Sequence, residues 1–269
     1  MKKTLLICMM ALFAIASYAQ DQQVRIYAHR GGCGEFDENT LNAFNAAYKA
    51  GYRSFETDIR MTSDGVFVLM HDSDLPNGKG NVEMSKAKDI KGLKIGKSKI
   101  LFLEELLEWI EKKGDIQYFE FELKSDTALY SQEDVERICE SIYHKIMAVK
   151  PVGATFLFTS FDTRPLAYLK NKFSETNLML ITNEPVNNAT IAMATEMGVK
   201  RLAAKLDGTC RDAVAKAHKE GLIVNLWPTD DIYDVALGIS LGAEGVCTDI
   251  PVAAKKALNK AMPWVNIVF

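Results

Sequence analysis

Apolar and polar positions along the chain keep switching between two periods. Short runs that alternate or are continuously apolar predict strands at Arg25–Ala28, Arg53–Asp58, Val66–Met70, Gln117–Leu123, Thr155–Thr159, Leu178–Ile181, Lys200–Ala203, Leu222–Trp227 and Gly245–Thr248. Apolar residues three and four apart predict helices at Thr40–Ala50, Leu103–Lys113, Gln132–Val149, Arg164–Lys172, Asn188–Met197, Thr209–Glu220, Asp231–Leu241 and Val252–Ala261. Strand-then-helix alternation predicts a parallel sheet with crossover helices, and about eight units in about 250 residues predict a closed (β/α)8 TIM barrel. No glycine-rich dinucleotide fingerprint opens the first helix, which argues against an open doubly wound sheet.

Nine strands are one too many for that barrel. Val66–Met70 follows Met61-Thr62-Ser63-Asp64-Gly65, and Asp-Gly marks a tight turn. A β-hairpin excursion over about 59–71 is therefore expected, with its returning arm antiparallel. One turn geometry sets His71 opposite Glu56 and the other sets it opposite Asp58; both return the histidine to the C-terminal mouth, where barrel enzymes build their sites. Residues 73–101 then break the rhythm, with turn-rich Pro76-Asn77-Gly78-Lys79-Gly80 and many lysines between Lys86 and Lys99. This reads as an insert over the mouth.

The first 19 residues read as a leader and not as fold. Lys2 and Lys3 precede an apolar run, Leu5 to Ile15, and Ser17-Tyr18-Ala19 ends in a small-x-small pattern. The run is shorter than the roughly 18–20 residues a membrane span needs. A signal peptide at 1–19 and a single exported domain at 20–269, periplasmic or secreted and without stable membrane insertion, are the expectation. The whole 269-residue chain carries a net charge of −3, which gives no general attraction to nucleic acid. Cys33, Cys139, Cys210 and Cys247 would remain after cleavage, with no C-x-x-C pair. Export permits disulfides, the spacing assigns none, and Cys139 and Cys247 read as buried thiols.

Four clusters carry candidate chemistry. His29-Arg30-Gly31-Gly32 follows the first strand and offers a proton-transfer group, a forked cation for an anionic oxygen, and glycines that would let a ligand approach the backbone. Glu56-Thr57-Asp58 puts two carboxylates on one strand face, which suits Mg2+ or Ca2+; salt bridges to Arg25, Arg53 or Arg60 are the alternative. His71-Asp72 ends the returning arm, with Asp72 placed to orient the imidazole or cap the turn. Glu120, Glu122 and Lys124 share one face of a buried-looking strand, with Glu122 the metal-ligand candidate, Glu120 a deeper buried group, and Lys124 either a phosphate contact or an internal ion pair. His144 and His218 read as surface residues. Together the clusters suit hydrolysis of a phosphodiester: hard oxygen ligands for one divalent ion, cations for a phosphate, and two imidazoles to take and give protons.

At these residues the chain resembles the glycerophosphodiester phosphodiesterase family. Ala28-His29-Arg30-Gly31, Glu38-Asn39-Thr40, Glu56-Thr57-Asp58-Ile59, Thr62-Ser63-Asp64-Gly65, His71-Asp72, Glu122-Leu123-Lys124 and Glu244-Gly245-Val246-Cys247-Thr248-Asp249-Ile250-Pro251 follow that family's order. The resemblance implies a barrel, one Mg2+ or Ca2+ held by Glu56, Asp58 and Glu122, His29 and His71 as the acid–base pair, and Arg30 and Lys124 on the phosphate. It implies hydrolysis of a small glycerophosphodiester to an alcohol and sn-glycerol 3-phosphate. Three departures stand out. Asp37 replaces the usual proline, the stretch after Asp72 is shortened, and Trp227-Pro228-Thr229-Asp230 replaces the common Trp-Thr-Val-Asn. Trp227 remains placed to give an apolar wall for the glycerol or head group. Competing readings are a phospholipase D-like barrel acting on intact lipids and a non-catalytic phosphodiester-binding barrel.

Overall fold

The computed structural model describes residues 23–269, so the expected leader at 1–19 lies outside the described residues. In chain order the strands are β1 (Gln23–Ala28), β2 (Ser54–Met61), β3 (Phe67–Leu69), β4 (Lys94–Ile95), β5 (Ser98–Lys99) and β6 (Tyr118–Leu123), then β7 (Thr155–Ser160), β8 (Asn177–Pro185), β9 (Arg201–Lys205), β10 (Ile223–Thr229), β11 (Gly245–Thr248) and β12 (Asn266–Val268). The helices are α1 (Leu41–Lys49), α2 (Ala87–Ile90), α3 (Leu103–Lys113), α4 (Gln132–Ala148), α5 (Thr163–Lys172), α6 (Asn188–Met197), α7 (Arg211–Lys219), α8 (Ile232–Leu241) and α9 (Pro251–Ala261). Strands β1, β2, β6, β7, β8, β9, β10 and β11 pair in parallel, and β1 meets β2 at Ala28↔Phe55 to close the ring. The (β/α)8 barrel is thus present, with one long helix after each stave.

Period-two alternation in β6 sets the two layers of the core. Phe119, Phe121 and Leu123 face the helices and join Phe44, Phe55, Trp109, Phe156 and Phe158. Tyr118 faces the barrel interior with Tyr27, Leu157, Met179, Ala203 and Cys247. Its neighbours at the same parity, Glu120 and Glu122, therefore point inward as well.

The hairpin forms, but with a register between the two expected ones. Ile59 pairs with Leu69 and Met61 with Phe67, so Asp58 falls opposite Met70, whose N–H donates to the Asp58 carbonyl at 3.2 Å. The turn spans Ser63–Gly65, closed by the Thr62 N–H on the Val66 carbonyl at 2.8 Å. A three-residue turn shifts the ladder by one position from either two-residue turn, and neither Glu56 nor Asp58 faces His71 across it. The hydrophobic pattern also gave no sign of β12. It lies beside the start of β1, and the Arg53 N–H donates to the Phe269 carbonyl at 2.8 Å, so the C-terminus fills the wedge between β1 and β2 at the foot of the barrel.

The 73–101 insert has its own small core of Leu75, Val82, Ile90 and Ile100 under Val68 and Met70. Its β4–β5 hairpin is fastened to the loop before α1 by Asp37. That carboxylate accepts from the Lys97 N–H at 2.9 Å, the Ser98 N–H at 3.1 Å and the Ser98 hydroxyl at 2.8 Å. The aspartate in place of proline is the insert's anchor.

Candidate active site

The loop after β1 is a single tight turn, His29–Gly31, in which Arg30 takes a left-handed backbone (φ 50°, ψ 30°). Such a backbone costs a non-glycine residue about 1–3 kcal/mol and persists only where its surroundings enforce it. Here it points the Arg30 N–H at Glu56 Oε2, 2.9 Å away, and the guanidinium at Glu38 Oε2 (2.8 Å) and Asp58 Oδ2 (3.3 Å). Asn39 is also left-handed (φ 55°). Its amide donates to Asp58 Oδ2 at 2.8 Å, and its oxygen accepts from the Thr57 hydroxyl at 2.7 Å. Gly31 and Gly32 serve packing, not ligand approach. A Cβ on Gly31 would lie 2.9 Å from Ala43 Cβ, and one on Gly32 2.7 Å from Pro251 Cγ.

Glu56 and Asp58 of β2 and Glu122 of β6 converge because Asp58 is the register partner of Glu122 and all three face inward. One oxygen from each lies within 4.8 Å of the others, and all three side chains are buried. Arg25, Arg53 and Arg60 neutralise none of them; they bind Ser54, Asp115 and Glu83 respectively. Arg30 and Lys124 do so. Lys124 Nζ lies 3.0 Å from Asp58 Oδ1 and 2.5 Å from Glu122 Oε1, so the internal ion pair forms and the ammonium is committed to carboxylates.

The balance stays acidic, with three buried carboxylates against two cations, one of them shared with Glu38. Burial, reinforced by the charges of Asp58 and Glu122, pushes the Glu56 carboxyl well up; burial likewise raises Glu122. Asp58 goes the other way: the Lys124 and Arg30 cations overcome burial and hold it well below the usual carboxylate range. Glu56 Oε1 is buried with no hydrogen-bond partner. An orphaned buried oxygen in a cluster of hard donors with excess negative charge fits a divalent cation, which would displace the proton burial favours on Glu56. His29, Cys33 and Asp249 also come together. Burial raises the Cys33 thiol well above its usual range, which disfavours the thiolate a soft-metal site requires.

The two proposed acid–base histidines line one cavity of about 460 Å3 at the mouth, with Arg30, Glu56, Glu122, Trp227 and Lys205. His29 Nε2 is 3.9 Å from Glu56 Oε2, and its Nδ1 is 2.5 Å from Asp249 Oδ1. His71 is held through its backbone. Its carbonyl accepts from Arg60 Nε (3.1 Å) and Nη2 (2.6 Å), and Arg60 is pinned by Glu83 at 2.7 Å. Its Nδ1 lies 2.8 Å from Asp72 Oδ1. Burial lowers the His71 imidazole, which favours its neutral form. A larger cavity of about 870 Å3 lies on the barrel's flank and contains none of these groups.

Trp227 packs edge-on against Phe161 (centroids 5.6 Å, 85°), forming an apolar wall, and its buried indole N–H has no partner. Glu120 sits deeper, bonded by Tyr118 and by Asn225 Nδ2 (2.9 Å), with burial raising it to about 7. His144 is exposed, as expected. His218 is half-exposed, and its Nε2 meets Glu244 Oε1 at 2.9 Å. Among the described residues, Cys33, Cys139, Cys210 and Cys247 are free thiols, with Cys139 and Cys247 buried.

Sequence reasoning assigned no role to Asp249, Asn39 or Lys205. Asp249 lies one residue past the end of β11, where a carboxylate faces the mouth. Lys205 ends β9, two residues beyond the expected strand end, and its position at a stave's C-terminus was the available signal.

A family model described as the glycerophosphoryl diester phosphodiesterase family matches residues 29–253. The chain belongs to that family. The glycerophosphodiester phosphodiesterase of Bacillus altitudinis is 25% identical over 245 residues, covering 86% of this chain and 97% of the relative. That of Caldanaerobacter subterraneus is 27% identical over 242 residues, covering 84% and 94%. Among solved structures, an Oleispira antarctica phosphodiesterase in complex with the product sn-glycerol-3-phosphate superposes with a TM-score of 0.79 at 22% identity, covering 88% of this chain and 97% of that one. A glycerophosphodiester phosphodiesterase from Parabacteroides distasonis gives 0.76 at 21% identity, covering 89% and 98%. These structural likenesses concern the fold. Among the described residues of this family member, no helix is long and apolar enough to cross a membrane.

Proposed function

We propose that this protein hydrolyses small glycerophosphodiesters to an alcohol and sn-glycerol 3-phosphate, using one divalent cation, Mg2+ or Ca2+, and the His29–His71 pair. The carrying observation is the trio Glu56, Asp58 and Glu122 within 4.8 Å, with an orphaned Glu56 oxygen, two of whose members, Glu56 and Glu122, line the same cavity as both histidines. Family membership and the product-bound Oleispira relative support the substrate class.

Glu56, Asp58 and Glu122 would hold the cation, which supplies Lewis-acid charge stabilisation at the phosphoryl oxygens. Arg30 and Lys124 fix the carboxylates and add positive potential to the pocket. Lys205 makes no ion pair among the described residues, so it is the cation free to meet a phosphate oxygen. One histidine takes the proton of the attacking hydroxyl and the other protonates the leaving alkoxide, which departs poorly without it. Asp249 keeps the His29 Nδ1 occupied, leaving Nε2 toward the cavity. Trp227 and Phe161 give the glycerol or head group an apolar wall.

The test is a head-group panel beginning with glycerophosphocholine, assayed for sn-glycerol 3-phosphate with each metal in turn. Turnover should vanish in chelator and fall at least about 100-fold in His29→Ala and in His71→Ala. Full activity in His71→Ala would refute the acid–base pair. Export through the leader belongs to the same proposal and is checked by N-terminal sequencing, with Gln20 the expected first residue.

A further inference from the structure

The charge of this chain is segregated. The whole protein is at −3, yet residues 86–99 carry six lysines and a single acid, Asp89. That stretch is therefore at +5 and the remainder at −8. Lys86, Lys88, Lys91, Lys94, Lys97 and Lys99 are all exposed, and none forms an ion pair among the described residues.

Among the described residues, neighbouring acids form no ion pair with them. These acids are engaged mainly by backbone N–H and hydroxyl groups, although Asp64 still attracts Lys86 and Asp37 attracts Lys97. Asp37 caps the β4–β5 hairpin through the Lys97 N–H, the Ser98 N–H and the Ser98 hydroxyl. Asp64 accepts from the Thr62 hydroxyl at 2.7 Å and the Ala87 N–H at 2.9 Å. Glu105 accepts from the Phe102 N–H at 2.9 Å. These lysines repel one another, and an external anion would relieve that repulsion.

Five of the six lysines, all but Lys86, line the flank cavity of about 870 Å3. The cavity also has an apolar side, with Leu41 and Phe102 half-buried over the buried Ile100 and Leu101. Just upstream, Met84 is 80% exposed beside Lys86. A cationic rim, an apolar wall and a protruding methionine match the interface of a bilayer, where phosphate groups sit above acyl chains. Thr40, Leu41 and Asn42, which line this cavity, follow directly on Asn39, which holds Asp58 at the mouth. The edge of the basic cavity and the candidate active site thus share the junction between the loop before α1 and the start of that helix.

We propose that the lysine-lined cavity on the barrel's flank docks the protein onto anionic phospholipid headgroups at a membrane surface. The proposal does not depend on the catalytic reading, because it concerns binding by residues outside that site. Each lysine near an anionic surface strengthens partition about fivefold.

The experiment is cosedimentation of the full chain with phosphatidylglycerol-containing vesicles and with pure phosphatidylcholine vesicles, alongside inorganic phosphate tested by thermal shift. Partition should favour the anionic vesicles and disappear at about 1 M salt, where the screening length is about 3 Å. Replacing Lys91, Lys94 and Lys97 together by Gln should weaken it about 100-fold without moving the unfolding midpoint. A second triple variant, Lys86, Lys88 and Lys99 to Gln, should do the same and guards against a misfolded first one. Equal partition into both vesicle types, as insertion of the apolar Leu5–Ile15 run would give, overturns the proposal. So does undiminished binding in both triple variants, or binding to neither vesicle. A thermal shift by inorganic phosphate through these lysines, without vesicle binding, would assign the cavity to free anions and overturn the lipid reading.

Discussion

His29 Nδ1 lies 2.5 Å from Asp249 Oδ1, joining residues 220 apart in sequence at the seam where β1 pairs with β11. Asp249 is held below the usual carboxylate range: burial opposes this, and the bond to His29 outweighs it. The pair fixes ring orientation and leaves Nε2 toward Glu56. Asp249→Asn keeps the shape but can present the wrong hydrogen-bonding partner to Nδ1. A loss in kcat of about 10²–10⁴-fold with KM nearly unchanged is expected. Steady-state kinetics on glycerophosphocholine checks it; a loss confined to KM would assign Asp249 to substrate binding instead.

Gathering three carboxylates without a bound ion is unfavourable, so divalent ions should stabilise the fold. At about 100 times its dissociation constant, Mg2+ or Ca2+ should add about 2.7 kcal/mol. Thermal unfolding with and without chelator measures this. Glu56→Gln should lose the metal response and, in chelator, be at least as stable as the parent, because it removes the carboxyl that burial most disfavours in ionised form.

Glu120 provides a pH signature of stability. Its folded value of about 7 lies above the ordinary 4.5, so its contribution is fully present below about pH 4.5 and is lost as pH rises through 7. The difference corresponds to roughly 3 kcal/mol. Denaturant titrations from pH 4.5 to 8 should show this decline in the parent and a flatter profile in Glu120→Gln.

Lys205→Ala tests the free cation at the mouth. A lost charge-assisted contact to phosphate costs about 1.5–3 kcal/mol, which is about 10- to 150-fold. The loss should fall on KM or kcat/KM, with stability nearly unchanged because Lys205 forms no ion pair among the described residues. Unaltered kinetics would remove Lys205 from the phosphate site.

Much of the fold was legible because it depends on local periods. The eight staves and eight main helices follow from repeats of two and 3.6 residues, and the inward carboxylates of β2 and β6 follow from strand parity alone. Two-residue and three-residue turns carry nearly the same local pattern, so the hairpin register escaped by one position. The final strand escaped because Asn266–Val268 is too short to declare a period, and it forms only where β1 and β2 leave a wedge. Asp37 in place of proline was visible as a departure, but its role required the β4–β5 hairpin to be in place.

By itself, the sequence determined which residue types face inward, since side-chain direction along a strand is a local property of the backbone. Only the tertiary structure decided their partners. Arg30 and Lys124, and not Arg25, Arg53 or Arg60, meet the buried carboxylates, and Asp249 meets His29. Those choices depend on barrel closure and stave register, which bring distant segments within hydrogen-bonding reach, and electrostatic interactions inside a barrel are set by ångström distances that no spacing along the chain encodes.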